Sequence, residues 1–387
     1  MANIVAESIP LTLKRTERYL SLDVLRGLTV ALMVIVNTPG SWSTIYAPLR
    51  HAPWHGFTVT DLVFPAFLFA VGNAMSFSMR KFDVQPESVF LTKVLKRTAI
   101  IFFIGLLLRA FPFMAHAEGG GLELFDFSTI RVMGVLQRIA LAYLIGSLVV
   151  HYFKIKGAVI FSAVVLLGYW AVLYFFGNQP DPYSLEGNAA LKFDLLFFSP
   201  EVLYKGYGIP FDPEGLLSTL PAAVNVVAGY LVGMFIQKNG NNLSTVFKLN
   251  LAGAAVIVVA LLWDVAFPIN KALWTSSYTL YTVGLVILVL GALMLVIEVF
   301  NSKKWTYFFE VFGKNPLFIY AMSILVIKTL SFIKVDEETR LSSWIYQNWF
   351  LSWGEGEFAS LMFALAYMLL HWQMGYLMDR NRIYVKV

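Results

Sequence analysis

Apolar and polar positions alternate along this chain on the scale of whole segments: apolar runs of about 18 to 28 residues, separated by polar breaks. Ten windows are long enough to cross about 30 Å of hydrocarbon as helix. They fall at 22–39, 61–79, 89–111, 131–152, 157–177, 215–237, 246–267, 273–300, 307–333 and 358–378. The third and ninth are the least clean, because Lys93, Lys96 and Arg97 interrupt one and Lys314 and Lys328 the other. No soluble domain fits between windows. No internal repeat is visible, which weighs against the inverted-repeat plan of many secondary transporters. The pattern predicts an all-α integral membrane protein with a short segment 1–21, one transmembrane domain over 22–378 and a tail 379–387.

Charge placement orients the predicted bundle. With a cytoplasmic N-terminus, the inner side holds Lys14, Arg15, Arg18, Arg80, Lys81, Lys154, Lys156, Lys238, Lys248, Lys303, Lys304, Arg380, Arg382 and Lys386. The longer outer loops hold only Arg50, Lys192, Lys205, Lys271, Lys334 and Arg340. That asymmetry puts both termini inside and the long loops 112–130, 178–214 and 334–357 outside. Composition agrees: 58% of the 387 residues are hydrophobic and 14% charged, far from a soluble domain. The net charge of +5 is then explained by topology and calls for no nucleic-acid partner. The absence of cysteine excludes disulfides, thiolate nucleophiles and cysteine-ligated metals. Residues 1–21 have no signal-peptide core, so the first span is expected to be retained.

The densest chemistry lies in residues 49–72. His51, Trp54 and His55 occupy a polar loop, and Asp61 leads into an apolar helix expected to start at Leu62. His51 is the best general-base candidate, since imidazole changes protonation near neutrality, and Asp61 is placed to orient it. An ordinary interfacial loop, with Trp54 as anchor and Asp61 as helix N-cap, would use the same residues. Asn37 ends the first span in VNTPGSW: either a helix exit or an amide donor for an oxyanion, facing the His51 loop. A metal would need His51, His55 and Asp61 to converge, yet Pro53 between the two histidines argues against an HxxxH helix and no HExxH pattern is present, so none is expected.

Two further groups stand out. Lys93, Lys96 and Arg97 mark the inner end of the third window, with Arg131 and Arg138 on the fourth. The last two are seven apart and are expected to share a helix face. Arg138 lies too deep for easy snorkelling and needs a buried anion: a carboxylate, or a phosphate-rich ligand from the cytoplasm. At the outer mouth, Asp212, Glu214, Asp264, Asn270, Lys271, Trp274, Ser277 and Tyr278 combine carboxylates, amides and aromatic rings as a sugar site would. An interfacial aromatic belt accounts equally for Trp263 and Trp274 taken singly.

Several of these segments together resemble the heparan-α-glucosaminide N-acetyltransferase family, a lysosomal membrane enzyme and its bacterial relatives. They are SLDVLRG at 21–27, VNTPGSW at 36–42, RHAPWHGFTVTDLVFPAFLFAVG at 50–72, IRVMGVLQRIA at 130–140, DPEGLLSTL at 212–220, PINKALWTSSY at 268–278 and GKNPLFIY at 313–320. The resemblance implies transfer of acetyl from cytosolic acetyl-CoA to an amine, or a hydroxyl, of a sugar on the far side of the membrane. It assigns catalysis to His51, Asn37 and Asp61, and leaves His55 without a role. Arg97, Arg138 and Arg26 become candidates for the CoA phosphates; Asp264, Trp274 and Asn270 become candidates for the acceptor sugar. The large domain ahead of the first span of the lysosomal enzyme has no counterpart, which suggests a bacterial member in the inner membrane, and family members are expected to dimerise. A ten-span bundle with a positive inner face also suits an amino-sugar or oligosaccharide permease, which would pass its substrate unmodified.

Overall fold

A computed structural model describes residues 19–117 and 121–385. Lys14, Arg15, Arg18, Gly119, Gly120 and Lys386 lie outside the described residues. The chain forms helices α1 (Leu20–Asn37), α2 (Val59–Ser78) and α3 (Glu87–Ala110), then a hairpin of β1 (Met114–His116) and β2 (Leu122–Leu124). It continues through α4 (Val135–Tyr152), α5 (Lys154–Phe176), the short α6 (Ala189–Asp194), α7 (Thr219–Asn239), α8 (Leu243–Asp264) and α9 (Ser276–Met294). The last elements are α10 (Thr306–Lys314), α11 (Pro316–Phe332), the short α12 (Leu341–Ile345) and α13 (Gly356–Arg380). The hairpin strands pair antiparallel, with Ala115 opposite Glu123.

Eight of these helices are long and apolar enough to cross a bilayer unaided. The window at 307–333 is not one helix: α10 and α11 meet at 82°, broken between Asn315 and Pro316. Proline at the first position of α11 donates no amide to a continuing helix, so the break falls where the sequence dictates it. α3 carries Glu87, Lys93, Lys96, Arg97 and Arg109, too much charge for a free-standing span. It lies antiparallel along α4 for its whole length: Phe90 stacks on His151 at one end, and Gln137 donates to the Phe102 carbonyl towards the other. With the bent pair taken as one span the number rises to nine of the ten windows; α3, the helix of the tenth, does not qualify by itself and runs the length of the bundle against α4. One boundary changes the chemistry. α4 starts after an extended Gly134, so Arg131 precedes the helix and does not share a helical face with Arg138.

α2 and α7 form the centre of the bundle, and their backbones touch. A Cβ at Gly72 would stand 1.7 Å from the Val226 carbonyl oxygen, and one at Gly229 would stand 1.9 Å from that of Phe69. Only hydrogen fits at either crossing, the small-residue packing that membrane helices use in place of a hydrophobic drive. α1, α4 and α9 surround this pair. α5 and α8 lie outside, showing Ile160, Val164, Phe247 and Leu262 to the surroundings as lipid-facing helices do. The bundle therefore has two ends. Asp61 at the start of α2 and Tyr278 at the start of α9 meet at one; Arg26, Gly313, Lys314 and Asp379 meet at the other, where both described chain ends lie.

Gly72→Val and Gly229→Val are each expected to cost about 1–3 kcal/mol by overpacking and to lower the melting temperature by several degrees. Intrinsic fluorescence melting in detergent checks this. Gly168→Val, on α5 with open space around it, is the neutral control.

Candidate active site

Asp61 organises the His51 end. It is the third residue of α2 rather than its N-cap, and its Oδ2 accepts the amide of Thr58, at the N-cap, at 3.0 Å. This is the reaching-back half of a capping box, with aspartate in place of the usual glutamate. The same oxygen accepts the Ala52 amide at 3.2 Å, and Oδ1 stands 2.7 Å from His51 Nδ1. The Asp61 carbonyl accepts the Tyr278 hydroxyl at 2.7 Å. The carboxylate has no exposed surface, whereas the His51 side chain keeps 46% of its own. Lys271 completes the group: its Nζ lies 3.5 Å from Asp61 Oδ1 and 3.2 Å from His51 Nε2.

These partners assign the imidazole tautomer. Asp61 can only accept, so Nδ1 carries the proton, and the 2.9 Å approach of Lys271 to Nδ1 is not a hydrogen bond. Nε2 is left with a lone pair, which Lys271 meets as donor. A half-exposed imidazole with a basic Nε2, oriented by a buried carboxylate, is the arrangement of a general base. Burial lowers the affinity of Lys271 for its proton, against the pull of Asp61 and Glu214.

Two loops zip together to hold this group. Gly56 donates its amide to the Ile269 carbonyl at 2.8 Å, Asn270 Nδ2 reaches His55 Nδ1 at 3.3 Å, and Lys271 reaches His51. Because Asn270 donates, His55 Nδ1 is an acceptor; burial also lowers its affinity for a proton. Beside them a cavity of about 560 Å³ opens, walled by His55, Phe57, Asp264, Ile269 and Tyr281. Of the three residues expected at a sugar site, Asp264 is on this cavity wall, whereas Asn270 is wholly buried behind it, its Oδ1 accepting the Leu273 amide at 2.8 Å and its Nδ2 on His55. Trp274 is not on that surface. It is 1% exposed, wedged against Phe64, Tyr278 and Arg138, with its indole N–H given to Asn225 at 3.1 Å. It has no free face for a sugar and works as packing.

Arg131 and Arg138 belong to the His51 end as well, contrary to the inward placement expected from sequence. Arg131 makes a bidentate pair with Asp212, at 2.9 and 2.6 Å, and also reaches Glu214. Burial opposes ionisation of both carboxyls. At Glu214 the nearby Arg131, Arg138 and Lys271 outweigh it and the proton affinity falls; at Asp212 burial wins and it rises. Arg138 is wholly buried and stacks on Trp274; its guanidinium donates to Ser218 Oγ and to the Gly215 carbonyl at 3.2 Å. Asn37 ends α1 with an exposed side chain that makes no hydrogen bond among the described residues.

At the opposite end, Arg26 and Arg97 open a cavity of about 540 Å³ that runs up between α1, α2, α4 and α11. Arg97 lies over the Tyr143 ring at 4.6 Å and has a buried Nε without a partner. Arg26 meets Asp23 and the Gly313 carbonyl. The cavity narrows towards Met33, Phe67, Leu136 and Tyr320. Phe67 is six residues, about 9 Å of helix rise, from Asp61. Among the described residues, no cluster of three His, Cys, Asp or Glu side chains could hold a metal ion. Lys271 is the residue that sequence reasoning left outside the catalytic group. Its signal was faint: a single basic residue in the short loop between two apolar runs.

The family model described as "Heparan-alpha-glucosaminide N-acetyltransferase, catalytic" matches residues 18–259. The human protein of the name heparan-alpha-glucosaminide N-acetyltransferase is 26% identical over 359 residues, covering 78% of this chain and 52% of its own length. The mouse protein of that name is 24% identical over 351 residues, covering 77% and 52%. The chain spans about half the length of the curated relatives it matches. His51, Asp61, Arg131 and Arg138 fall inside the family match; Asn270, Lys271 and Trp274 fall beyond it.

Asp194 supports the acidic turn from behind, with Oδ1 accepting the Leu216 amide at 2.9 Å. Burial raises its carboxyl to about 7. A raised acid stabilises the fold fully below its unfolded value near 4, and that contribution is lost as pH rises through about 7. Melting curves between pH 4 and pH 8 should therefore show a loss of stability with rising pH that Asp194→Asn flattens. An unchanged slope in the variant would refute this role.

Proposed function

The chain belongs to the heparan-alpha-glucosaminide N-acetyltransferase family, and on that basis we propose that it transfers an acetyl group from acetyl-CoA, bound at the Arg26 end, to the amine or hydroxyl of a sugar at the His51 end. The observation that carries this reading is the buried Asp61 carboxylate holding His51 with Nε2 unprotonated and met by Lys271, at the end of the bundle opposite an arginine-rimmed cavity. On this reading the His51 end faces the periplasm of a bacterial inner membrane, in keeping with the distribution of Lys and Arg. Dimer formation belongs to the same proposal.

The donor cavity suits acetyl-CoA in its chemistry. Arg97 and Arg26 line the mouth, where guanidinium groups recognise phosphate, and the unpartnered Arg97 Nε is a donor in need of an acceptor. The apolar walls towards Met33 and Phe67 suit a thin thioester arm. Arg138, committed to the Glu214 turn, is better placed to hold the acceptor side together than to bind CoA phosphates.

Each group at the His51 end then has one task. An acceptor N–H or O–H takes the place of Lys271 on Nε2 and gives its proton to the ring. The acceptor lone pair bonds to the acetyl carbonyl carbon, the C–S bond breaks, and the imidazolium returns its proton to the leaving thiolate. Asp61 holds the tautomer and stabilises the imidazolium. Lys271, displaced from Nε2 but kept by Asp61, stays cationic beside the developing oxyanion, and the exposed amide of Asn37 is a second donor. Asp264, on the wall of the cavity beside His55, orients the sugar, and the buried Asn270 holds His55 in place from behind. An acetyl-imidazole on Nε2 would use the same residues.

Purified protein with labelled acetyl-CoA and a panel of amino sugars and oligosaccharides tests this. His51→Ala should abolish product, and Asp61→Asn should lower kcat about 10²- to 10⁴-fold with little change in KM. Full activity of His51→Ala would move catalysis elsewhere. Sugar uptake by proteoliposomes without acetyl-CoA, and without modification, would favour a permease.

Arg97→Gln should raise KM for acetyl-CoA about tenfold while kcat holds, as loss of one charge-assisted contact implies. An unchanged KM would remove Arg97 from the donor site.

A further inference from the structure

A second cavity, of about 220 Å³, lies at the His51 end between α3, α4 and α11. Among the described residues three cations line it, Arg109, Arg131 and Lys328, and no carboxylate does. Two of the three are already engaged. Arg131 is paired with Asp212 and Glu214, and Lys328 donates to the carbonyls of Leu108, Arg109 and Phe111 at 2.8, 2.8 and 3.1 Å, closing the C-terminal end of α3. Arg109 is exposed, and its guanidinium makes no hydrogen bond or ion pair among the described residues. An interfacial arginine alone would mean little. Here it stands on the wall of a cavity whose other charges are also positive.

The surroundings say what kind of anion would fit. The connection that leaves α3 directly after Arg109 exposes Phe113, Leu122, Leu124 and Phe127. A soluble anion gains nothing from such an apolar surface, whereas an amphiphile lays its chain on it. The inner wall matters too. Leu136 and Tyr320 line both this cavity and the donor cavity, so a headgroup at Arg109 would sit across one layer of side chains from the donor arm. Arg131 ties the same wall to Glu214, whose charge acts on Lys271.

We propose that this cavity docks the phosphate of a membrane amphiphile, and that the acceptor sugar arrives attached to such a carrier. The second half rests on the acetyl-transfer reading; the docking site does not. Phosphate is the anion that matches the open fork of the Arg109 guanidinium, with the positive charges of Lys328 and Arg131 on the same cavity wall, and the lateral position between helices favours a ligand already in the bilayer.

The test uses the full chain in detergent, with wild type, Arg109→Gln and Arg109→Lys. Arg109→Gln removes no side-chain hydrogen bond or ion pair among the described residues and leaves the Lys328 and Arg131 bonds in place, so folding is preserved. Native mass spectrometry reads retention of phosphatidylglycerol against phosphatidylcholine, with inorganic phosphate as competitor. Wild type should retain phosphatidylglycerol about fivefold better, and Arg109→Gln should lose that preference while Arg109→Lys keeps part of it. Equal retention of both lipids, or no effect of Arg109→Gln, overturns the site. Complete displacement by millimolar inorganic phosphate overturns the lipid as its source. A second arm compares acetyl transfer to free glucosamine and to glucosamine carried on a dodecyl phosphodiester. Arg109→Gln should raise KM for the conjugate about fivefold relative to that for the free sugar. An unchanged KM ratio overturns the carrier role, and no transfer to either acceptor with lipid retention intact overturns the acetyl-transfer reading while the docking site stands.

Discussion

One buried carboxylate holds the His51 end together. Asp61 starts α2 by accepting the Thr58 amide, fixes the preceding loop through the Ala52 amide, and orients His51. It also draws in Lys271 from a loop more than two hundred residues away, while its carbonyl anchors Tyr278 at the start of α9. An ionised carboxylate with no exposed surface at the edge of a bilayer survives only when such partners replace its water. The cost of stranding that charge is what forces two distant loops into register. The geometry around His51 and the closure of the bundle are thus consequences of one interaction.

The central helix pair sets a second condition. Gly72 and Gly229 let α2 and α7 meet backbone to backbone, so the start of α2 and the acidic turn before α7 are held at the same level. Arg131 then finds its counter-charges on that turn, while Arg138 bonds to its Gly215 carbonyl and Ser218 hydroxyl within reach of the field of Glu214 and Asp212. Cationic and anionic groups at the His51 end are balanced within a shell of packed aromatic rings, Phe64, Trp274 and Tyr278 among them. The Arg26 end is different. Its cavity carries cations at the mouth and apolar walls within, the division of labour expected of a site for a ligand with a charged head and a thin arm.

Much of this was legible in the sequence, because a bilayer imposes simple rules. A span must be apolar for about 20 residues, and eight of the ten windows hold a helix that meets this rule unaided. Even the two windows spoiled by lysines correspond to the two unusual elements, a charged α3 covered by α4 and a span broken before Pro316. His51 and Asp61 were legible as well, since ionisable groups at the mouth of an apolar helix have few structural excuses. Family membership followed from local motifs strung along the chain in order.

Tertiary structure alone decided which side each charge serves. Arg131 and Arg138 read as helix-face neighbours near an inner basic cluster; the late start of α4 and the approach of residues 212–218 turn them to the other end. Trp274 reads as a sugar platform, and its place between Phe64 and Tyr278 makes it core. Lys271 reads as one residue among several at the mouth, and only the zipped loops bring its Nζ to His51. The physical reason is common to all three. Hydropathy and local motifs act over a turn or two of chain, whereas ion pairs and ring contacts form between residues tens to hundreds of positions apart, wherever the packing of whole helices brings them.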